Sequence, residues 1–233
     1  MTRRRLACLL AAAIAAGCTS GPPPPPTEDR PYEQEVQAAR ADKDAAFRTQ
    51  GNSPIPVASR AAFPGLSYFA VDPTYRVPAL LTQDPSQRDV VMELPTSSTE
   101  LRRMRKVGAL GFTVAGASYT LTAFVDATAP DVRRLFVPFG DLTNGTETYK
   151  GGRYLDLDRT PTGLYDLDFN RAYHPFCVYD ASYVCPVPPR ENRMTVAIKA
   201  GERLGPFQLP DVRNRPDAQG LLRAVKVGTA RAN

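Results

Sequence analysis

Most residue types that could do chemistry lie in one stretch, residues 168–193, which reads DFNRAYHPFCVYDASYVCPVPPRENR. It holds the chain's only histidine, His174, and two of its four cysteines, Cys177 and Cys185. A thiolate nucleophile would need His174 beside Cys177, but Pro175 disfavours the helical turn that would bring them together. One histidine and two cysteines also leave a tetrahedral metal site a ligand short. We therefore predict a disulfide between Cys177 and Cys185, and no metal.

Polar side chains flank the predicted disulfide loop on both sides. Aromatic rings with converging polar groups are what a site for a small polar ligand or glycan requires. A buried structural hydrogen-bond network has the same requirement, and the sequence leaves both interpretations open. The candidate ligand-binding or catalytic residues are Arg153, Tyr154, Asp168, Asn170, Arg171, Tyr173, His174, Glu191 and Asn192.

The N-terminal segment has the features of a bacterial secretion signal. Three arginines at 3–5 precede an apolar run from Leu6 to Ala16, which is about half of the roughly 20 residues that cross a bilayer. The segment AIAAGC resembles a lipoprotein cleavage site, so residues 1–17 are predicted to be removed and Cys18 to be acylated. A plain secretory signal cut nearby is the alternative.

Residues 18–30, which read CTSGPPPPPTEDR, are predicted to form an extended proline-rich tether behind the lipid. We therefore expect a lipid-anchored protein of the cell envelope, on the periplasmic side or the surface of the outer membrane, with the membrane as a partner. Cys8 leaves with the signal and Cys18 takes the lipid, so two cysteines remain in an oxidising compartment, where they usually pair.

Once the signal is removed, the net charge excludes few classes of binding partner. It is +5 for the whole chain and falls to about +2 without the three signal arginines. The remaining basic runs, at 100–108 and 213–231, do not interleave basic residues with aromatic ones, as single-stranded nucleic-acid binding would require. We expect no nucleic-acid partner and no cofactor; these runs are solvated faces or contact anionic lipid or glycan.

The remaining sequence predicts one all-β domain. Strong helix formers predict a surface helix over residues 31–50, and residues 51–233 read as a single β domain with a basic C-terminal tail. Period-two alternation predicts a hairpin over 107–125, with Leu110, Phe112 and Val114 on one face.

Further strands are predicted at 133–139, at a sheet edge or bulge because of Pro138, and within 194–204 and 221–228. Short strands between proline and glycine turns favour an antiparallel β-sandwich or a barrel-like domain.

Two acidic strands are chemically unusual. Residues 154–158 (YLDLD) and 164–169 (LYDLDF) flank the turn RTPTG, and as a hairpin they would gather four aspartates on one face. Like charges opposite one another are destabilising. Water, the nearby Arg153, Arg159 and Arg171, or a hard cation could offset the repulsion, or Asp168 could turn inward.

Four segments carry a family resemblance. They are FPGLSYFAVDPTYRV (63–77), LPTSSTELRRMRKVGALGF (94–112), LFVPFGDLTNGTETYKGGRYLDL (135–157) and LDFNRAYHPFCVYDASYVCPVPPRENRMTVAIKAGERL (167–204). They resemble the bacterial domain-of-unknown-function family 1684 over most of residues 45–205. The resemblance implies export or a lipid anchor. It suggests no activity and identifies no catalytic residues. His174 stands where the family commonly has Asn, which weakens its case as an essential base. Lys150 stands where the family has Gly, which weakens a phosphate-binding glycine loop.

The function we expect is that of an envelope lipoprotein that binds a small polar ligand or glycan through residues 168–193. One alternative is an envelope hydrolase with Asp168 and Glu191 as acid and base, and Asn170 and Tyr173 positioning substrate. Another is a structural lipoprotein without a ligand. Geometry separates them, because the hydrolase needs two carboxyls close together in a cleft, one of them desolvated.

Overall fold

The computed structural model describes residues 31–87 and 90–205. Five of our predictions lie outside those residues: the signal peptide at 1–17, the acylation of Cys18, the tether at 18–30, the strand at 221–228 and the basic C-terminal tail.

Helix α1, Tyr32–Thr49, matches the predicted helix at 31–50. Glu33 and Glu35 lie in its first turn and Arg48 in its last, which suits the helix dipole at both ends. Only Val36 and Phe47 are buried, so the helix lies on the surface of the domain, as predicted. No helix in the described residues is long and apolar enough to cross a membrane.

Nine antiparallel strands follow in the described part of the chain. They are β1 Ser67–Tyr68, β2 Arg76–Thr82, β3 Val91–Pro95, β4 Leu101–Val114, β5 Ala117–Asp126, β6 Arg134–Phe139, β7 Arg153–Asp158, β8 Leu164–Asp168 and β9 Glu202–Arg203. Seven form one sheet in the order β7-β6-β5-β4-β2-β8, with β3 paired to the first half of the long β4. β1 pairs with β9 apart from this sheet. The sheet curls into a nearly closed barrel, which confirms the all-β, barrel-like prediction.

The hairpin predicted over 107–125 is confirmed as β4 and β5. Its turn residues, Ala115 and Gly116, have φ values of 50° and 76°, as a tight two-residue hairpin turn requires. The residues that were predicted to share a face, Leu110, Phe112 and Val114, all lie in the main core inside the curled sheet.

The hairpin pairing predicted for the two acidic strands is wrong, although their four aspartates, Asp156, Asp158, Asp166 and Asp168, do gather around one cavity, as predicted. β7 pairs with β6 and β8 pairs with β2, so the two lie at opposite ends of the sheet and meet only where it curls round. Arg134 of β6 stands opposite Asp158, and Arg76 of β2 donates to Asp166 at 2.6 Å. Each acidic strand therefore lies beside a strand that carries an arginine, which avoids the like-charge pairs of the hairpin.

Two further strand predictions need correction. The strand predicted at 133–139 forms as β6. It lies inside the sheet rather than at an edge, and its pairing with β5 is irregular, since only Phe124 and Phe136 register between the two strands. Within residues 194–204, only the short β9 forms. The carbonyls of Ile198 and Ala200, just before it, accept hydrogen bonds from the buried Arg153 side chain.

A second apolar cluster lies between α1 and the segment that contains both cysteines. It includes Phe47, Phe63, Tyr149, Tyr154, Cys177, Val178, Tyr179 and Cys185. This cluster joins the helix to the outside of the sheet.

Candidate functional site

The structure does not bring the nine predicted site residues into one site. Arg153 and His174 lie in a buried polar cluster, and Tyr154 and Tyr173 line an aromatic groove. The others are divided between a helix-to-strand junction (Asp168, Asn170, Arg171), an exposed turn (Glu191) and the gap between β5 and β6 (Asn192).

Arg153 is a fully buried guanidinium at the start of β7. One nitrogen donates to Asp141 at 2.9 Å and to the Ile198 carbonyl at 2.7 Å, and the other donates to the carbonyls of Ala200 and Glu202. Both side chains of the Arg153–Asp141 ion pair are 0% exposed. Arg153 therefore anchors the 198–202 segment to the barrel and is closed to any ligand.

Two glycines allow this anchor to form. Gly152 has φ 91°, and a Cβ there would lie 2.6 Å from the Phe139 carbonyl. Gly201 has φ 75°, and its Cβ would lie 2.5 Å from the Ala172 carbonyl. These positions favour glycine, and they set Arg153 and its acceptors at bonding distance.

His174 is a buried, neutral imidazole. Its Nε2 accepts from the Tyr149 backbone N–H at 3.2 Å, so its proton lies on Nδ1, 3.7 Å from the Glu202 carboxylate. Burial lowers the pKa of His174 well below its ordinary value, and the charges of Arg153 and Lys43 lower it further. A histidine without solvent access cannot act on a substrate, so its role is structural.

Glu202 is the centre of this buried cluster. It accepts from Lys43 of α1 at 2.6 Å, from the His174 backbone N–H at 2.7 Å and from the Tyr179 hydroxyl at 3.3 Å. A buried carboxylate is stable only when paired and hydrogen-bonded, and these donors meet that need. Glu202 therefore holds α1, the 174–179 segment and β9 together.

Asp168 and Asn170 fasten the start of α1 to the end of β8. Asp168 turns inward and accepts from the Tyr32 hydroxyl at 2.7 Å and from Arg171 at 3.1 Å. Asn170 exchanges two hydrogen bonds with the backbone of Asp72 and donates a third to Tyr32. These polar groups are satisfied by the protein itself, so they form a structural network.

Asn192 fills the gap where β5 and β6 separate. Its side chain accepts from the Thr122 N–H at 2.7 Å and donates to the carbonyls of Thr122 and Pro138, at 2.9 and 2.7 Å. Pro138 has no N–H to give to a neighbouring strand. The asparagine thus replaces the missing backbone ladder.

The acid and base pair of the predicted hydrolase is not assembled. Asp168 is buried against Tyr32 and Arg171, whereas Glu191 is exposed in the turn that follows Pro189. They share no described hydrogen bond, ion pair or cavity. The geometric condition that we set for the hydrolase is therefore not met.

The aspartates of β7 and β8 have arginine and tyrosine partners. Asp158 accepts from Arg134 at 2.9 Å, and Asp156 accepts from the Tyr173 hydroxyl at 2.8 Å. Of the arginines expected nearby, Arg171 contacts Asp168, whereas Arg153 is buried elsewhere. Within residues 31–87 and 90–205, no three acidic, histidine or cysteine side chains are grouped to hold a metal ion.

Cys177 and Cys185 are in contact, but no disulfide joins them in the structure. The Cys177 backbone N–H donates to the Cys185 sulfur at 3.3 Å. Hydrogen bonding to Cys177 and burial raise the pKa of the Cys185 thiol well above its ordinary value. A protonated thiol is a poor nucleophile, which argues against Cys185 as a nucleophile. The disulfide stays a prediction.

An aromatic groove of about 380 Å³ opens to solvent beside the predicted region. It lies between the outer face of β4–β7 and the 173–186 segment. Edge-to-face pairs build it: Phe136 with Tyr154 at 4.7 Å between ring centroids, Tyr154 with Tyr173 at 5.7 Å, and Phe176 with Tyr183 at 5.3 Å. We call this cavity the aromatic groove.

Charged and apolar groups complete the aromatic groove. Arg102 and Asp126 form an ion pair at 3.2 Å in its wall, and Met104, Val184 and Pro186 add apolar surface. Four of the rings (Phe136, Tyr173, Phe176 and Tyr183) are partly exposed. The arrangement can hold a ligand with one apolar face and several hydroxyl groups.

Sequence reasoning missed several residues of these sites. Asp141, Tyr149 and Glu202 belong to segments that carry the family resemblance, which was the only available signal. Phe136 lies in such a segment too, whereas Lys43 gave no signal, because periodicity shows which face of an element is apolar and not which distant element meets it.

Comparisons with known proteins give a family. A family model described as a protein of unknown function (DUF1684) matches residues 61–203. The chain is also similar to an uncharacterised protein of Haloarcula marismortui, solved in solution by NMR: the two are 42% identical, over 74% of this chain and 94% of that one, with a TM-score of 0.59. No curated protein matches the chain. The chain belongs to the DUF1684 family of proteins of unknown function.

Proposed function

We propose that this protein is an envelope lipoprotein that binds a glycan in its aromatic groove. The observation that carries the proposal is the groove itself, in which partly exposed rings line one cavity beside an ion pair. Its volume is at the lower end of the roughly 300–1,000 Å³ of small-molecule sites, which suits one or two sugar units.

The chemistry of the groove suits a sugar. The C–H faces of a pyranose are apolar and pack on aromatic rings, and its hydroxyl groups need hydrogen-bonding partners. Tyr173 and Tyr183 supply rings with polar tips. Arg102 and Asp126 supply donors and acceptors in the wall.

Hydrogen bonds fix the walls of the groove in the absence of a ligand. The Tyr154 hydroxyl donates to the Pro186 carbonyl, and the Ser97 N–H donates to the Cys185 carbonyl at 2.8 Å. The Tyr173 hydroxyl is fixed on Asp156. A pre-formed site loses less conformational entropy on binding, so this rigidity supports a binding role.

Truncating a ring of the groove should weaken glycan binding. We expect wild-type protein to bind members of a panel of bacterial envelope oligosaccharides, and Tyr183→Ala to raise the Kd about ten-fold, since stacking and ring burial are both lost. Tyr183→Phe should keep most of the affinity because it keeps the ring. Isothermal titration calorimetry on the full chain in a polyoxyethylene detergent, which carries no sugar, measures each Kd.

The control is Leu142→Ala, which removes an apolar side chain that is 64% exposed and outside the groove. It should leave the Kd unchanged. If no oligosaccharide of the panel binds, or if both alanine variants lose affinity equally, the glycan proposal fails.

The anchor has a separate test. Cys18→Ser should move the protein from the membrane fraction to the soluble periplasmic fraction and abolish incorporation of an alkyne-labelled fatty acid, because the lipid has no other attachment point. Cys8→Ser is the matched control, since Cys8 lies within the predicted signal, and it should leave both readouts unchanged. Cys18→Ser protein that still sediments with membranes and carries label would contradict the anchor.

A further inference from the structure

We propose that the glycan site extends from the aromatic groove into a neighbouring cavity, so that the protein takes a linear, neutral oligosaccharide of roughly three or four sugar units. This inference rests on the glycan function proposed above and adds the length and the charge of the glycan to it. The neighbouring cavity has a volume of about 310 Å³ and shares Asp126 and Phe136 with the aromatic groove. We call it the polar cavity.

The strand pairing places the two cavities one after the other on the outer face of the sheet. Phe136 of β6 stands opposite Asp156 of β7, and Arg134 stands opposite Asp158. Residues two apart on a strand share a face, with their Cα atoms about 7 Å apart. The aromatic groove contacts Phe136, and the polar cavity reaches from Phe136 to Arg134. A ligand that follows β6 therefore passes from one cavity into the other.

Hydrogen bonds fix the junction between the two cavities. The Tyr173 hydroxyl, in the wall of the aromatic groove, donates to Asp156, in the wall of the polar cavity, at 2.8 Å. Asp126 lines both cavities, accepts from the N–H and the hydroxyl of Thr128, and pairs with Arg102. The Thr128 hydrogen bonds hold the pKa of Asp126 below its ordinary value. A ligand that leaves the groove therefore meets a fixed carboxylate acceptor.

The polar cavity offers both donors and acceptors. Three carboxylates and two guanidinium groups line it: Asp126, Asp131, Asp156, Arg133 and Arg134. Arg133 donates to Asp131 at 2.7 Å, and Arg134 donates to Asp158 at 2.9 Å. A guanidinium has about five N–H donors and a carboxylate about four acceptor sites, so each ion pair uses only part of its hydrogen-bonding capacity. The remainder can bind a ligand while the ion pairs persist.

This mixture of charges favours a neutral ligand. A charged ligand would be repelled by the groups of like sign, whereas a sugar hydroxyl can donate to a carboxylate and accept from a guanidinium. The side chains of Arg133 and Asp131 are 86% and 51% exposed, and exposed pairs contribute little to stability. They can therefore adjust to a hydroxyl group at small cost.

The volumes of the two cavities set the length of the glycan. The aromatic groove suits about one or two sugar units, and the polar cavity is somewhat smaller. A disaccharide can be held in the groove alone, whereas a tetrasaccharide reaches the polar cavity as well. The affinity for a neutral glycan should therefore rise with its length.

Isothermal titration calorimetry on the full chain in polyoxyethylene detergent tests the extended site with chitobiose, chitotetraose, cellobiose and cellotetraose. In at least one series, the wild-type Kd for the tetrasaccharide should be at least about ten-fold below that for the disaccharide. Arg133→Met/Arg134→Met removes the guanidinium donors of the polar cavity. It should reduce this ratio to about three-fold or less and leave the disaccharide Kd unchanged. Both side chains are more than half exposed, so the variant should fold.

The matched control is Arg159→Met/Arg190→Met, which makes the same changes at two exposed arginines outside both cavities. It should keep the wild-type ratio. Equal Kd values for disaccharide and tetrasaccharide in the wild type would overturn the extended site while the groove keeps its glycan. So would an equal loss of the ratio in both double variants, or no loss in Arg133→Met/Arg134→Met. If none of the four saccharides binds, the extended site for a neutral glycan is wrong, and binding of another oligosaccharide of the envelope panel would still support the groove.

Discussion

Replacing Arg153 with methionine should lower the free energy of unfolding by about 3–5 kcal/mol, the usual result of removing one partner of a buried ion pair. Methionine fills much of the same volume but donates no hydrogen bond. The Asp141 carboxylate and three carbonyls of the 198–202 segment would then be left without their donor in the interior. Urea denaturation of the full chain measures the loss.

The matched control is Arg134→Met. Arg134 also pairs with an aspartate, Asp158, but the two side chains are 62% and 82% exposed. Exposed pairs contribute less than about 1 kcal/mol, so this variant should remain close to wild type. A loss in Arg153→Met no larger than that in Arg134→Met would mean that the buried pair does not hold the segment.

A double variant separates the charge from the carbonyls. Arg153→Met/Asp141→Leu removes both members of the pair, so no lone charge stays buried, and part of the lost stability should return. Recovery should be incomplete because the carbonyls of Ile198, Ala200 and Glu202 still lack a donor, and because Thr143 and the Ile198 N–H lose the carboxylate that accepts from them. Full recovery would assign the whole effect to the ion pair.

Local features of the fold could be predicted from the sequence. Helix α1 and the β4–β5 hairpin depend on residue periodicity and on a tight turn, both of which lie within a short stretch of chain. The inward faces of these strands, such as that of Leu110, followed from alternation alone. These predictions succeeded because neighbouring residues decide them.

Pairing over longer distances could not be predicted. β7 and β8 are neighbours along the chain with a turn between them, yet β7 pairs with β6 and β8 pairs with β2. Register across distant strands depends on side chains that meet only in the folded state.

The candidate site was predicted in part. The polar residues that flank the cysteine loop are mostly buried and bonded to distant elements, as the network interpretation required; Asp168 and Asn170 hold α1, for example. The loop does present rings to solvent, but Phe136 and Arg102, on the opposite wall, come from strands far away in sequence. The wall of the groove that the loop supplies could be predicted from the sequence. The wall that the sheet supplies could not.

One buried side chain, that of Asn192, bridges β5 and β6. It makes three hydrogen bonds in the gap between β5 and β6, where only one residue pair is in register. Its amide is the only side chain among the described hydrogen bonds that spans these two strands. The association of β5 with β6 should therefore depend on the hydrogen bonds that the amide nitrogen of Asn192 donates.

Asn192→Asp tests this dependence with almost no change in shape. The introduced oxygen replaces a donor that faces the carbonyls of Thr122 and Pro138. At pH 7, a buried negative charge against two carbonyls should lower the free energy of unfolding by at least about 3 kcal/mol. Protonated, the carboxyl can still donate to one of the carbonyls, so the cost at low pH should be only about 1–3 kcal/mol.

The sign of the pH dependence follows from the burial of the introduced carboxyl. Burial raises its folded-state pKa above the unfolded value of about 3.9. The folded state therefore keeps a proton that the unfolded state has lost, so the penalty is smallest near pH 4 and grows by up to about 1.4 kcal/mol per pH unit until the folded pKa is reached. Urea denaturation of variant and wild type between pH 4.5 and 7.5 measures this difference. Asn52→Asp, at an exposed turn, should show almost no difference at any pH. If the penalty for Asn192→Asp stays constant with pH, the introduced carboxyl reaches solvent. The gap between β5 and β6 then opens once the amide is lost.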